Sequence, residues 1–242
     1  MTEPAAGTKG VDAAVAGAKR ALRQAMKERI ARLSPFARAR RAERAAALAF
    51  RSPALAGARC VLAYRAMPDE IGCDPLVALL ARAGVRIAFP HVTGRSRRLV
   101  LLEVASSSPL SPEFWTIDRF GIRAPDPGHP QVRAIAAREI DAAIVPGRAF
   151  DGRGARLGRG GGFYDRLLAG LRPDARRATL GFAFEEQFVG PPANGGGDRG
   201  RQAGVGGAVA AATALPEGVP TTTHDLPVAA IATDRAIRRA RR

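Results

Sequence analysis

Residues 144–168 read IVPGRAFDGRGARLGRGGGFYDRLL, and this stretch contains most of the structural and chemical signals in the chain. An apolar run from Ile140 to Val145 predicts a buried strand, and the Pro-Gly pair after it predicts a turn. Beyond the glycines, apolar residues recur at helical spacing between Phe163 and Leu171. The stretch therefore predicts a strand, then a glycine-rich loop, then a helix that begins where the loop ends.

The glycine-rich loop has the composition of a phosphate-binding site. Glycine lets the backbone approach an anion and adopt positive φ, and the free N–H groups at the start of a helix favour phosphate. Arg153, Arg156 and Arg159 add positive charge around the loop. The alternative is a flexible surface loop in a protein rich in glycine and arginine. The loop glycines are Gly152, Gly154, Gly158, Gly160, Gly161 and Gly162.

Two standard nucleotide-binding signatures do not fit the loop. A P-loop requires Gly-Lys-Ser/Thr, which does not occur in the sequence. The dinucleotide fingerprint starting at Gly158 requires glycine or alanine where Phe163 stands. The loop is therefore neither a P-loop nor a dinucleotide-binding motif.

Beyond its glycines, the loop has a fixed order of residues: Pro146-Gly147, Phe150-Asp151, Gly154, Arg156-Leu157-Gly158, Gly160, Gly162 and Tyr164-Asp165-Arg166. This order resembles the signature of the 5-formyltetrahydrofolate cyclo-ligase family, also called 5,10-methenyltetrahydrofolate synthetases. The resemblance implies a ligase of one-carbon metabolism, which closes the 5-formyl group of 5-formyltetrahydrofolate onto N10 with ATP and magnesium.

The resemblance also implies an ATP site built from the loop and an N-terminal helix. Lys19 and Arg23 match a Lys-x-x-x-Arg pattern of the family, and they lie one turn apart on one helix face. The alternative is a pair of exposed charges. The residues expected to contact ATP are Lys19, Arg23, Arg156, Gly158, Gly160, Gly161, Gly162 and Tyr164.

Substrate, metal and catalytic residues follow from the same resemblance. Glu70 matches a glutamate that contacts the pterin, and Phe163 and Arg159 are expected to contact the substrate. Arg159 would also be the catalytic residue beside the transferred phosphoryl group. Asp165 and Asp225 match acids that hold Mg²⁺. The alternatives are a helix-start charge for Asp165 and a turn residue for Asp225.

Strands and helices alternate along the chain, which predicts an α/β fold with a mainly parallel sheet covered on both faces. The resemblance implies the three-layer α/β/α arrangement of ribose-phosphate isomerase-like and coenzyme A transferase-like proteins. Arg98–Val104 is expected near an edge of the sheet. Asp74 is expected to cap the helix Pro75–Ala83, and Asp234 to cap a basic C-terminal helix. Further predicted helices are Val11–Leu33 and one from Pro35 to Phe50, and further predicted strands are Cys60–Tyr64, Val85–Phe89, Ala178–Phe184 and Val228–Thr233.

The length of 242 residues predicts a single domain over residues 1–242. Residues 1–10 are small and polar, and we expect them to be disordered. Residues 190–218 are rich in glycine and alanine without periodicity, so we interpret them as a low-complexity insertion. We expect this insertion to be an inert surface loop rather than a lid over ATP.

Positive charge is concentrated at the two ends of the chain. Residues 1–60 hold 13 Lys and Arg against 4 Asp and Glu, and the last eight residues add five arginines, within a formal net charge of +16. This charge attracts anions such as nucleotide phosphates, a polyglutamate tail or nucleic acid, or it is a solvated basic surface. We favour the solvated surface for most of these arginines and do not expect nucleic acid as a partner.

The remaining composition excludes several classes of protein. No apolar run has the length of a membrane span, and the N-terminus lacks an apolar signal core, so we expect a cytoplasmic protein without membrane contact. Cys60 and Cys73 form neither a Cys-x-x-Cys pair nor a disulfide framework, and we interpret them as ordinary thiols. We expect a monomer.

Two other functions remain open from the sequence. One is a non-catalytic relative of the same fold that binds folate or RNA, and the other is a sugar-phosphate isomerase, which would not need ATP. No Ser-His-Asp or Cys-His signature appears, and the three histidines are scattered. An assay for phosphate release with ATP and 5-formyltetrahydrofolate discriminates among these functions.

Overall fold

The computed structural model describes residues 6–93, 98–117, 121, 123–190 and 216–241. Its α-helices in this part of the chain are α1 (Ala6–Ala31), α2 (Pro35–Phe50), α3 (Asp74–Arg82), α4 (Phe163–Ala169) and α5 (Pro173–Arg177). Its strands are β1 (Cys60–Leu62), β2 (Arg86–Thr93), β3 (Arg98–Val104), β4 (Trp115–Ile117), β5 (Arg123–Pro125), β6 (Val132–Ile135), β7 (Ala142–Val145), β8 (Ala149–Asp151), β9 (Arg156–Leu157), β10 (Thr179–Phe182), β11 (Phe188–Val189), β12 (Ala230–Ala232) and β13 (Ile237–Arg239). None of the helices in these ranges combines the length and apolarity that crossing a membrane requires.

One large sheet organises the fold, with the strand order β13-β12-β10-β7-β1-β2-β3-β6. The central strands from β12 to β2 pair in parallel, whereas β13 on one side and β3 and β6 on the other run antiparallel to their neighbours. The predicted α/β class with a mainly parallel sheet is therefore confirmed. Strand β3 lies second from the β6 edge, as the prediction for Arg98–Val104 expected.

Helices cover both faces of this sheet. Alternate residues of a strand point to opposite faces, and on β7 Ala142 and Ile144 join one apolar cluster while Ala143 and Val145 join another. The first cluster includes buried residues of α2 and α3, and the second includes Leu168 of α4. Burial on both faces explains why the central strands are continuous apolar runs without alternation.

The predicted bounds of α2 agree with the structure, whereas the predicted start of α1 does not. Ser34 accepts a hydrogen bond from the backbone N–H of Ala37 at 3.2 Å, so α2 begins where the sequence predicts, and it also ends at the predicted Phe50. Helix α1 begins at Ala6 rather than at the predicted Val11. Residues 1–5 of the segment predicted to be disordered, and 191–215 of the predicted insertion, lie outside the described residues.

Two predictions about aspartates are wrong. Asp74 is the first residue of α3 and makes no capping bond, because its carboxylate pairs with Arg65 at 2.8 Å. Asp234 precedes a strand rather than a helix. Its carboxylate is buried against Arg41 at 2.7 Å, and the chain then reverses so that β13 pairs with β12. The arginines lie 9 and 193 positions from their aspartates, beyond the few residues that local capping patterns describe.

A hairpin that the sequence did not predict interrupts the signature stretch. Strands β8 and β9 pair antiparallel and form a small sheet with β11. The buried carboxylate of Asp151 accepts hydrogen bonds from the N–H groups of Arg153 and Ala155 at 2.9 and 3.1 Å, and from that of Val219 at 3.0 Å. The hairpin therefore separates Gly152 and Gly154 from the later glycines, which form a loop of their own.

Candidate active site

A cavity of about 950 Å³ lies where the carboxyl ends of β1, β2 and β7 meet. Carboxyl ends of parallel strands are the usual place for ligands in open α/β sheets. The predicted site residues, which are spread over most of the chain, all line this one cavity. They are Lys19, Arg23, Glu70, Arg156, Gly158, Arg159, Gly160, Gly161, Gly162, Phe163, Tyr164, Asp165 and Asp225.

The loop from Gly158 to Gly162 forms one wall of the cavity. Gly160 and Gly162 have φ of 102° and 61°, a region that favours glycine, and Gly162 is the residue before α4. Arg23 reaches this loop from α1 and donates from Nε to the Gly158 carbonyl oxygen at 2.8 Å. Because α4 has only 7 residues, its dipole is small, and arginines supply most of the positive charge.

Lys19 and Asp225 meet across the cavity although 206 positions separate them in the chain. The Lys19 ammonium donates to Asp225 Oδ2 at 2.6 Å, and the backbone N–H and hydroxyl of Thr222 donate to the same oxygen at 2.6 and 2.9 Å. Burial alone would raise the pKa of Asp225, but these hydrogen bonds outweigh burial, so its pKa lies below the usual range. Asp225 is therefore ionised at neutral pH.

A second buried pair joins β9 to α4. Arg156 donates from Nη2 to Asp165 Oδ1 at 2.8 Å, and its guanidinium carbon lies 5.6 Å from the centre of the Tyr164 ring. Burial raises the pKa of Tyr164, which keeps its hydroxyl protonated. The pair brings the signature's arginine and aspartate to one side of the cavity.

Arg159 lies on the far side of the glycine loop, in contact with two carboxylates. Its Nε donates to Glu70 Oε1 at 3.0 Å, and its Nη2 pairs with Asp69. Arg148 pairs with the other oxygen of Asp69. Glu70, predicted to bind the pterin, and Arg159, predicted to act on the phosphoryl group, are therefore neighbours and form an ion pair.

The sequence carries a family match that covers most of these residues. The model of the 5-formyltetrahydrofolate cyclo-ligase family matches residues 15–192. The chain belongs to the 5-formyltetrahydrofolate cyclo-ligase family. A mouse 5-formyltetrahydrofolate cyclo-ligase is 25% identical over 176 residues, 72% of this chain and 86% of the relative. An Escherichia coli K12 protein of the same name is 29% identical over 165 residues, 68% of this chain and 86% of the relative.

Solved structures of the cyclo-ligase family share this architecture. The structure of Aquifex aeolicus 5,10-methenyltetrahydrofolate synthetase superposes with a TM-score of 0.65 at 26% identity, covering 93% of both chains. The Mycoplasma pneumoniae 5,10-methenyltetrahydrofolate synthetase superposes with a TM-score of 0.56 at 18% identity, over 89% of this chain and 98% of that one, and supports the fold alone. Asp225 lies beyond the part of the chain that the family model matches.

The cavity contains two carboxylates that fit Mg²⁺. Asp165 and Asp225 each keep one carboxylate oxygen, Oδ2 and Oδ1 respectively, without a hydrogen-bond partner among the described residues. The described ranges contain no cluster of three or more His, Cys, Asp and Glu side chains that could hold a metal unaided. Mg²⁺ commonly takes one or two carboxylates and completes its shell with phosphate oxygens and water. The pair therefore fits an ion that binds together with a phosphate ligand.

Several residues of the site were not predicted from the sequence. Arg148 lines the cavity just after β7, and Asp69, in the segment that follows β1, pairs with it. Their place after the strand ends is the signal that could have identified them. Gln187 is buried and donates from Nε2 to the carbonyl oxygens of Gly147 and Arg148 at 2.9 and 3.3 Å, which holds the Pro-Gly turn in place. The cavity also has an apolar wall, formed by Phe89, Pro90, Val92, Leu99, Ala124 and Pro125 of β2, β3 and β5.

The thiols have no part in this site. Burial raises the pKa of Cys60 to about 11 and that of Cys73 to about 12, so both are protonated at neutral pH. A protonated buried thiol is a poor nucleophile. The expectation that both cysteines are ordinary thiols agrees with their surroundings.

Proposed function

We propose that this protein cyclises 5-formyltetrahydrofolate to 5,10-methenyltetrahydrofolate and converts ATP to ADP and phosphate. The observation that carries the proposal is the convergence of the predicted ATP, substrate and metal residues on one cavity. Family membership and the names of the relatives support the same activity.

The two walls of the cavity suit the two substrates. The wall formed by Lys19, Arg23 and the loop from Gly158 to Gly162 is basic and rich in backbone N–H groups, which suits the phosphates of ATP. The apolar wall at Phe89 suits the flat ring system of the folate. Glu70 also lines the cavity and, as a carboxylate, accepts hydrogen bonds of the kind that a pterin amino group donates.

The reaction requires that the formyl oxygen become a leaving group. That oxygen attacks the γ-phosphorus of ATP, and ADP departs, leaving an imino-phosphate at N5. N10 then attacks the formyl carbon, loses its proton and expels phosphate, which gives the N5–C–N10 bridge. In-line phosphoryl transfer depends chiefly on positioning and charge stabilisation, and we propose that Arg159 stabilises the transferred group.

We further propose that Asp165 and Asp225 hold Mg²⁺ through their free carboxylate oxygens. Bound with ATP, the ion would neutralise charge on the phosphate oxygens. Lys19 already pairs with Asp225 at 2.6 Å, so this lysine lies where it can also contact a phosphate. Arg156 donates to Oδ1 of Asp165, so the Oδ2 atom is not engaged by this bond.

Three broader proposals accompany the activity. We place the fold in the three-layer group of ribose-phosphate isomerase-like and coenzyme A transferase-like proteins, because helices cover both faces of a mainly parallel sheet. We propose a cytoplasmic location, since both cysteines are free buried thiols and reduced thiols are typical of that compartment. We propose a monomer, which light scattering of the purified protein would test.

The test of activity measures the absorbance of the methenyl product and the release of phosphate in the same reaction. With ATP, Mg²⁺ and 5-formyltetrahydrofolate, we expect one phosphate for each methenyl group formed. Omitting ATP should abolish both signals. A rise in absorbance without ATP, or no rise with all components present, would refute the proposal. Binding of folate without either signal would instead indicate the non-catalytic alternative.

A further inference from the structure

Arg148 is a partly buried cation in the cavity that the activity described so far does not use. It lies between β7 and β8, its side chain is 14% exposed, and its Nε is buried without a hydrogen-bond partner. Its backbone is held from two directions, by its N–H bond to the Leu157 carbonyl oxygen at 2.7 Å and by the Gln187 amide on its own carbonyl oxygen. The guanidinium is therefore presented to Asp69 by a rigid turn.

Asp69 is shared between two arginines. Arg148 takes Oδ2 and Arg159 takes Oδ1, and Arg159 also contacts Glu70. For Arg159 to reach a phosphoryl group and for Glu70 to accept a bond from a pterin, Arg159 must leave both carboxylates. Leaving a partly buried carboxylate without any cation costs free energy. If Arg159 were the only cation beside Asp69, this cost would therefore oppose its movement to the phosphoryl group.

We propose that Arg148 is a positioning residue, which keeps Asp69 paired while Arg159 turns from the carboxylates to the phosphoryl group of ATP. The inference rests on the proposed role of Arg159. Burial, and after it the charge of Arg159, lower the pKa of Arg148, although Asp69 and Glu70 partly oppose the shift. The two guanidinium groups therefore repel one another across Asp69, which favours the departure of Arg159, the more exposed of the two.

A double-mutant cycle tests this role, because it compares the loss of Arg148 in the presence and in the absence of the Asp69 carboxylate. We expect Arg148→Leu to lower kcat about tenfold and to weaken ATP binding about threefold, since Arg159 becomes the sole partner of Asp69. Arg148→Lys keeps a cation at this position, so kcat should stay within about threefold of the wild type. In an Asp69→Asn background Arg148 loses its carboxylate partner and Arg159 keeps only Glu70, so Arg148→Leu should change both quantities less than about twofold.

Three outcomes would overturn the inference. These are an unchanged kcat in Arg148→Leu, an equal loss in Arg148→Leu and Arg148→Lys, and a tenfold loss that persists in the Asp69→Asn background. Thermal melting of each variant identifies loss of folded protein, and if Arg148→Leu does not fold, Arg148→Gln replaces it. Absence of turnover in the wild type would refute the proposed function instead. Calorimetric titration of the same variants with ATP and Mg²⁺ would then decide the inference, since the non-additivity must appear in the dissociation constant.

Discussion

Gly154 is the glycine of the signature whose replacement has the clearest structural consequence. It adopts φ of +81°, and a Cβ built there would lie 2.2 Å from the Val228 carbonyl oxygen and 2.9 Å from the Ala240 Cβ. Its own carbonyl oxygen accepts a hydrogen bond from the Val228 N–H at 2.9 Å. Gly154→Ala must therefore push the β8–β9 hairpin away from the segment that leads from Asp225 into β12.

Gly84 provides a matched control, because its φ is +78° but a Cβ there meets nothing within 4 Å. An alanine in this left-handed region costs about 1–2 kcal/mol at either position. At Gly154 the contact with a backbone oxygen cannot be relieved by a side-chain rotation. Moving the hairpin breaks the Val228 bond and adds about 1–3 kcal/mol for the buried groups left unpaired. We expect Gly154→Ala to lower the free energy of unfolding by about 2–5 kcal/mol and Gly84→Ala by about 1–2 kcal/mol.

Urea unfolding followed by circular dichroism measures both losses, with the slope of the transition checked for two-state behaviour. Gly154→Ala should also raise the KM for ATP, because the displaced segment carries Asp225, whereas Gly84→Ala should leave the KM unchanged. Equal destabilisation by the two substitutions would refute the reasoning, since it would show that the close contact with Val228 contributes nothing.

Three further predictions concern charges in the cavity. Arg159→Ala or Asp165→Ala should lower turnover about a hundredfold or more, as loss of a partner for transition-state charge typically does, and normal turnover in either would remove that residue from the site. Arg23→Ala should raise the KM for ATP about tenfold with a smaller effect on the KM for folate, because Arg23 supports the glycine loop through Gly158; equal effects on both KM values would contradict its placement. The pKa of Asp225 is lowered, so its pairing stabilises the protein fully above about pH 4 and this contribution disappears as pH falls through the folded-state pKa. The gap in melting temperature between wild type and Asp225→Asn should accordingly narrow as the pH falls below about 4, and a gap that stays constant over that range would exclude this linkage.

Elements whose signals are local could be predicted from the sequence. The start of α2 follows from the Ser34 cap and Pro35, and the central strands follow from apolar runs that end in turns. The signature also indicated which residue types would surround a phosphate, because glycine, arginine and aspartate act there through their own chemistry. The predicted site residues could therefore be named before their positions were known.

The partner of each charged residue depends on how the helices and strands pack, and it could not be predicted. Lys19 meets Asp225 across 206 positions, Arg159 meets Glu70 across 89, and Arg41 meets Asp234 across 193. Periodicity and capping describe interactions over a few residues, so they predicted a C-terminal helix where pairing with β12 produces a strand. Ion pairs are set by which elements pack together, because the gain from pairing two partly buried charges depends on geometry that exists only after the sheet has formed.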